Sequence, residues 1–371
     1  MDGKKKNRFA VWILTPNGSR LAEKILQDLP DVDGFVSPRI TGASTDWHTF
    51  QNLAEDVKQK FRQYTGHIFI MSTGIVVRVI APLIQHKTED PAVVVVDDAG
   101  RHAISLLSGH LGGGNDLTRM VATVIGADPV ITTATDVNGM PAIDVLAKQK
   151  NLFIENPEAI KFVNMALLRS RPVYIHDPFN FVKDCLPNSE ELPEAYLKGC
   201  IKENGQNPAN EMDAVVVIDD VKRDIPPRIL VLRPASLVAG IGCNRNTDTR
   251  EIKTLLEEVL AANNLAGSSL KCIASIDVKS DEAGLIALAE TLDLPLVFFT
   301  REQLNQVEQI ETPSQIVEKH VGVKSVCEAA AILAAPNGTL IVPKHTTRNA
   351  TVAIARIGFI SSGSAREIRT I

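Results

Sequence analysis

The 371-residue chain has no C-x-x-C pair, and its five cysteines (Cys185, Cys200, Cys243, Cys272 and Cys327) form an odd set. A disulfide framework and a structural zinc site are both unsupported. Its eight histidines form neither an H-E-x-x-H nor an H-x-E signature, so no metal held by protein side chains is expected. Aromatic residues make up only 5%, too few for interleaved base-stacking platforms. An excess of basic residues is missing too. The 39 Lys and Arg stand against 44 Asp and Glu, a formal net charge of −5, which excludes a bulk electrostatic nucleic-acid binder. No apolar run approaches the ~20 residues of a bilayer span. The basic opening through Lys6 precedes only the run Phe9–Leu14, shorter than the roughly 7–15 residues of a signal-peptide core, so a cytoplasmic protein is expected.

What is present is a chain with 44% apolar and 22% charged residues, enough for two or three well-filled domains. Short β-branched runs alternate with helical periodicity, which predicts an α/β protein. Expected strands are Phe9–Leu14, His67–Met71, Val93–Val96, Pro129–Ile131, Ala214–Ile218, Ile229–Leu232, Leu237–Ile241, Lys271–Ser275, Leu296–Phe299, Leu340–Val342 and Val352–Ala355. Expected helices include Ser19–Leu29, the stretch after Ser72, Asn115–Ile125, Pro141–Lys150, Thr247–Leu260 and Ser325–Leu333, whose alanines imply close packing. Residues His176–Asp213 collect prolines, asparagines and acids with weak periodicity. The division expected is two three-layer α/β/α domains with mostly parallel or mixed sheets, residues 1–145 and 235–358. A smaller, more variable middle α/β segment (146–234) joins them, and 359–371 form a flexible tail.

Three familiar motifs fail. Gly109 and Gly114 have P-loop spacing, but Asn115-Asp116 stands where Lys and Ser/Thr are needed. Gly240-Ile-Gly242 follows a strand, yet Arg245 occupies the third glycine position of a dinucleotide fingerprint. No G-x-S-x-G elbow occurs.

What remains is a set of strand-to-helix loops: Thr15–Ser19, Ser72-Thr73-Gly74, Ser108–Asn115, Thr132–Asp136 and Gly240–Thr247. At the carboxyl ends of strands such loops bind ligands, and free N–H groups at helix starts favour carboxylate or phosphate. Ordinary caps and turns are the alternative for any one of them. The stretch Pro336–Arg356 carries Lys344, His345, Arg348 and Arg356 without one Asp or Glu, a strip suited to polycarboxylates or to guarding a strand edge. His110 in its glycine loop and Glu328 among alanines are candidate acid–base groups. A hydrogen-bonded structural histidine and an exposed i, i+4 partner of Lys324 are the alternatives. Asp277 through Glu282 clusters opposite charges after a strand or simply opens a helix. Cys243 precedes a helix start, which lowers a thiol pKa; an inert buried thiol is the alternative.

The same segments resemble the cobalt-precorrin-5A hydrolase family, CbiG, of anaerobic cobalamin biosynthesis. In the first third these are Ser72-Thr-Gly-Ile-Val-Val-Arg78, Ile80-Ala-Pro-Leu83, Lys87, Asp90-Pro-Ala-Val-Val-Val95, Leu106-Leu-Ser-Gly-His-Leu-Gly-Gly-Gly114 and Thr132-Thr-Ala-Thr-Asp136. Toward the C-terminus they are Gly240-Ile-Gly-Cys-Asn-Arg245, Ser275-Ile-Asp-Val-Lys279, Glu282-Ala-Gly-Leu285, Ser325-Val-Cys-Glu-Ala-Ala-Ala331, Lys344 and Asn349-Ala-Thr-Val-Ala-Ile-Ala-Arg356. The middle segment matches loosely. Asn244 and Asn246 depart from the arginine- and glycine-rich form that follows the family's cysteine, and Cys327 replaces an alanine.

The resemblance implies a hydrolase that opens the δ-lactone of cobalt-precorrin-5A and releases acetaldehyde, giving cobalt-precorrin-5B. The cobalt would arrive inside the substrate, with no cofactor of the protein's own. Transient contact with pathway methyltransferases would fit, and neither nucleic acid nor membrane would be a partner. Water addition needs a base and donors for the oxyanion. His110 or Glu328 is expected as base. Glycine-loop N–H groups with Lys279 or Lys344 are expected as donors, and Arg78 and Arg245 as carboxylate clamps. Further substrate contacts are expected from Ser72, Thr73, Gly74, Ser108, Gly109, Gly112, Gly113, Thr133, Asp136, Gly242 and Asp277. A non-catalytic carrier of corrinoid intermediates is the rival reading, and a generic sugar-phosphate or nucleotide enzyme a weaker one.

Overall fold

Alternation along the first strand, β1 (Phe9–Ile13), sorts its side chains between two cores. Phe9, Val11 and Ile13 pack with Ile25, Leu117 and Val121, under the helices Pro16–Asp28 and Gly114–Ile125. Ala10 and Trp12 pack on the other face with Phe35, Val57, Phe61 and Val76, under the helices Leu53–Lys60 and Thr73–Ile80. Each large side chain taken from water in this way contributes about 1.5–3 kcal/mol. The result is a three-layer α/β/α unit. The computed structural model describes residues 8–40, 46–86, 89–193, 197, 214–313 and 322–359, so the basic opening through Lys6, Lys87 and residues 360–371 lie outside the described residues. The chain divides into two compact units, Lys4–Lys148 and Gln149–Ile371.

In the first unit β1 is central to a sheet that includes β2 (Val32–Val36), β3 (His48–Thr49), β4 (Gly66–Ile70), β5 (Ala92–Val96), β6 (His102–Leu107) and β7 (Asp128–Val130). Their order is β3-β2-β1-β4-β5-β6-β7. Strands β1 to β5 run parallel, but β6 is antiparallel to β5, and β7 follows the direction of β6. The reversal comes from a tight turn. Asp97 accepts hydrogen bonds from the backbone of Ala99, Arg101 and His102, and Gly100 sits at φ +67°. Helix Pro16–Asp28 starts three residues before Ser19 because Thr15 Oγ1 accepts from Gly18 N at 3.0 Å and Pro16 fits the first turn.

The second unit holds two sheets among the described residues. The first comprises β8 (Leu152–Ile154), β9 (Val173–His176), β10 (Ser189–Glu191), β11 (Val215–Ile218) and β12 (Leu230–Pro234), in the order β10-β9-β11-β12-β8 with β8 antiparallel. The other comprises β13 (Leu237–Cys243), β14 (Leu270–Ile276), β15 (Leu296–Phe299), β16 (Thr339–Thr346) and β17 (Ala350–Arg356), in the order β15-β14-β13-β17-β16. Leu237, Ala239 and Ile241 face the helices Thr249–Ala262 and Ala283–Leu292, while Val238 faces the alanines of helix Val326–Leu333. The expected close packing has a specific cause: a Cβ on Gly240 would stand 1.8 Å from the carbonyl oxygen of Cys327. The two sheets are joined by Arg356, whose guanidinium donates to both carboxylate oxygens of buried Asp220 at 2.8 Å. Phe359, expected to begin a flexible tail, instead packs its ring 5.1 and 5.0 Å from those of Phe179 and Phe181. Apolar contact fixes that position where the Ser- and Gly-rich composition suggested fraying.

Candidate functional site

The reversal at β6 separates loops that the sequence suggested would share one edge. Ser72, Thr73 and Gly74 follow the carboxyl end of β4, and Arg78, one helical turn on, is exposed and donates to Gly74 O at 3.1 Å. The segments Ser108–Gly113 and Thr132–Asp136 follow β6 and β7, which point the other way, so they lie at the opposite edge of that sheet. Ser72 makes no side-chain capping bond. One edge of this unit therefore does not gather all its candidate residues.

At the second edge His110 is held between two carboxylates. Its Nε2 lies 3.0 Å from Asp136 Oδ2 and its Nδ1 lies 3.2 Å from Asp144 Oδ2. Thr135 Oγ1 is also 3.0 Å from Nε2. Asn115 bridges the cluster, donating to Thr133 Oγ1 at 2.9 Å and Asp136 Oδ2 at 3.0 Å, and accepting from Ser105 Oγ at 2.7 Å. Arg119 closes it on Asp136 Oδ1 at 2.5 Å. The hydrogen bond to Asp144, followed by its charge and the bond to Asp136, raises the His110 pKa against the opposing effect of burial. Burial would raise Asp136, but its bonds to Arg119 and His110 pull it lower. An imidazole whose two nitrogens are both engaged and whose cationic form is favoured is poorly suited to be the expected free base. Ser108, at φ +56°, buries its Oγ without a hydrogen-bond partner among the described residues, and Gly109, Gly112 and Gly113 complete the tight loop.

The second unit has a pocket of about 500 Å³ at the carboxyl ends of β13 and β14. It is lined by Gly242 and Cys243, by Ile276, Val278 and Lys279, and by Ser325–Cys327 at a helix start. Lys344 and the hairpin turn Thr346–Ala350, with Arg348, complete it. Among its described lining residues there is no Asp or Glu, so the pocket presents three cations to a ligand. The hairpin turn is fastened by Glu251, which accepts from Thr347 Oγ1 at 2.6 Å and from Asn349 N and Nδ2 at 3.1 Å.

Several sequence expectations change here. Glu328 is fully buried, and its carboxylate accepts from Glu311 N (3.0 Å), Thr312 N (3.1 Å), Thr312 Oγ1 (2.5 Å) and Lys344 N (2.9 Å). Burial alone would raise its pKa, but these bonds together lower it, so Glu328 is a structural anion, and neither a base nor an exposed partner of Lys324. Arg245 does not line the pocket; it pairs with Asp281 and donates to Val278 O at 2.7 Å. Asp277 is exposed on the turn Asp277–Lys279 and also stays outside the lining. Burial pushes the Cys243 thiol up to about 11, outweighing the nearby Lys279 charge, which favours the inert thiol over a nucleophilic thiolate. Among the described residues no group of three or more His, Cys, Asp and Glu is gathered to hold a metal ion, and no helix is long and apolar enough to cross a membrane.

Comparison with known proteins extends over the same segments. The chain matches the family models Cobalamin synthesis G N-terminal over residues 55–136, Cobalamin biosynthesis central region over 141–234 and Cobalamin synthesis G C-terminus over 237–355. It is 40% identical over 338 residues to the cobalt-precorrin-5A hydrolase of Salmonella typhimurium, covering 90% of this chain and 93% of that one. The chain belongs to the cobalt-precorrin-5A hydrolase (CbiG) family. Another relative of that name, from Priestia megaterium, is 31% identical over 370 residues, 96% of this chain and 98% of its own. A probable cobalt-precorrin-5A hydrolase of Methanocaldococcus jannaschii is 30% identical over 358 residues, 93% and 98% respectively.

In this member of the CbiG family the second His110 carboxylate, Asp144, lies beyond the N-terminal model, within the central one. Sequence reading passed over it because an acid in the first turn of helix Ile143–Gln149 reads as a dipole partner. Thr312 escapes sequence reading for a different reason: two of its three contacts use backbone atoms, and its hydroxyl meets Glu328 from sixteen residues away, which no local motif can announce.

Proposed function

We propose that this CbiG-family chain is a cobalt-precorrin-5A hydrolase and that the pocket of the second unit receives part of the substrate. The observation that carries the reading is 40% identity along 93% of a relative bearing that name. The pocket supports it chemically. Lys279, Lys344 and Arg348 suit the carboxylates of a tetrapyrrole rim, and Ile276 and Val278 offer apolar surface to its ring.

In the reaction so read, a water oxygen bonds to the lactone carbonyl carbon and the ring C–O bond breaks, its oxygen taking up a proton. The freed hydroxyl then loses its proton to become the aldehyde oxygen of acetaldehyde. The electrons of the broken C–C bond pass to the macrocycle, which is protonated. Lys279 and Lys344 are the donors closest in kind to what the carbonyl oxyanion needs. The cobalt belongs to the substrate, and no cofactor of the chain's own is invoked. The Ser72–Arg78 segment and the Ser108–Gly113 loop, on opposite edges of their sheet, are assigned substrate contacts of the first unit. The enzyme acts in the cytoplasm, with pathway methyltransferases as transient neighbours.

The test is to mix the pure full-length chain with cobalt-precorrin-5A and follow acetaldehyde and the corrinoid mass. Stoichiometric acetaldehyde is expected, and Lys279→Ala or Lys344→Ala should lower kcat/KM by about 10²-fold each. Tight binding of the intact lactone without acetaldehyde release would establish the carrier reading instead.

A further inference from the structure

A layer beneath that pocket is unused by the reaction as written, and the inference drawn from it rests on the pocket's assignment. Helix Val326–Leu333 is alanine-rich and apolar, yet its first turn buries one full carboxylate, Glu328. Burying a charge is costly unless its lone pairs are bonded. Here the four donors to Glu328 among the described residues come from two short segments. Oε2 takes Glu311 N and Thr312 N, and Oε1 takes Thr312 Oγ1 and Lys344 N. The ammonium of Lys344 then reaches back and donates to Thr312 O at 2.5 Å. One carboxylate thus fixes both ends of the Lys344 side chain: the backbone it grows from and the carbonyl its tip grips.

We propose that Glu328 is a positioning residue for Lys344, holding that cation at one place on the pocket wall by clamping Thr312 and the Lys344 backbone together. An untethered lysine has four rotatable bonds and many rotamers, so its charge is spread over a wide arc. A cation that must meet a developing charge is most effective when its place is set beforehand. Lys279, in the same pocket, is positioned independently: its Nζ lies 3.6 Å from Glu282, on a different turn.

The substitution Glu328→Gln keeps the shape but presents two N–H donors where backbone N–H groups already point. Competitive reductive methylation of the full-length chain, read residue by residue by mass spectrometry, measures how freely each ammonium moves. Lys344 should label at least about threefold faster in the variant, the scale of one weakened charged hydrogen bond, while Lys279 keeps its wild-type rate. Unchanged labelling of Lys344 would overturn the proposal, and so would equal acceleration of both lysines, which signals general loosening. Should the Gln variant fold poorly, Thr312→Ala removes only the hydroxyl bond to Oε1. A smaller acceleration confined to Lys344 is then expected, and none would again overturn it.

With cobalt-precorrin-5A as substrate, Glu328→Gln should lower kcat/KM by about tenfold in wild type and have no effect in a Lys344→Met background. Additive losses would mean that Glu328 acts by some route other than Lys344. The labelling needs no substrate. A chain that labels as expected but leaves cobalt-precorrin-5A intact therefore refutes the hydrolase reading and not the clamp.

Discussion

The Nδ1 nitrogen of His110 stands 3.2 Å from Oδ2 of Asp144. That bond is the largest cause of the raised His110 pKa, ahead of the charge of Asp144 and the contact with Asp136. Asp144→Asn should therefore move the His110 titration to lower pH, as read by the NMR shift of its imidazole protons. The stability consequence has a definite sign. A folded pKa above the unfolded value gives stabilisation that is complete below about pH 6.5 and is lost as pH rises through the folded pKa. The wild-type unfolding free energy should fall across that alkaline side, and the Asp144→Asn variant should show a smaller fall. An unmoved His110 midpoint in the variant would refute the assignment.

His67 titrates in the opposite sense. It is fully buried on β4 among Trp12, Phe61 and Phe69. Its Nδ1 accepts from Trp12 Nε1 at 3.1 Å, so the proton sits on Nε2, 3.0 Å from Phe61 O. Burial lowers its pKa to about 4, only partly offset by the Phe61 bond. The unfolded chain takes up a proton below about pH 6.5 that the folded chain refuses until about 4, so stability drops through that window by roughly 3 kcal/mol. Urea unfolding at pH 7 and pH 4.5 measures the loss. A His67 imidazole that titrates near 6.5 in the folded protein would contradict the burial argument.

The two histidines also show why sequence reading reached some features and not others. The Val93–Val96 run, the apolar spacing of Ile252, Leu255, Leu256 and Val259, and the alanines after Ser325 all announced their elements, because periodicity records which face is buried. Strand β6 is absent from the expected strands: His102–Leu107 mixes exposed, buried and half-buried positions without a clean alternation, and its direction is set by the short Asp97–Gly100 turn, a hairpin signal. Site residues on one loop, such as Ser108 and His110, were found together. The partners of Glu328 were not, since three of its four bonds come from backbone N–H groups.

Gly240 marks where strand and helix approach most closely. A Cβ there would lie 1.8 Å from Cys327 O and 2.8 Å from Ala331 N, both backbone atoms that no rotamer change can move aside. Gly240→Ala must push helix Val326–Leu333 away from β13, displacing Ser325–Cys327 at the pocket wall. A destabilisation of about 1–3 kcal/mol or more is expected, with weakened substrate binding, measured by thermal unfolding and by KM. Wild-type stability and KM in that variant would show that the helix is less tightly seated than its alanines imply.

Asp220 and Arg356 form a bidentate pair in which the carboxylate is buried and the guanidinium is about one-third exposed. Ser236 Oγ also donates to Asp220 Oδ2 at 2.7 Å, and Ala266 N to Asp220 O at 2.8 Å. One aspartate after β11 therefore holds the end of β17, the link before β13 and the segment after helix Thr249–Ala262. Asp220→Ala keeps the backbone bond to Ala266 but leaves a guanidinium and a buried hydroxyl without their acceptor. Breaking a buried pair from one side costs about 3–5 kcal/mol, less here because Arg356 retains access to water. Arg356→Ala should cost at least as much, because it leaves the carboxylate, the more deeply buried partner, uncompensated. Urea unfolding of both variants and the double mutant gives the coupling. If Asp220→Ala proves neutral, the junction does not depend on the carboxylate, and its backbone hydrogen bonds, such as Ala266 N to the residue 220 carbonyl, and apolar packing hold it.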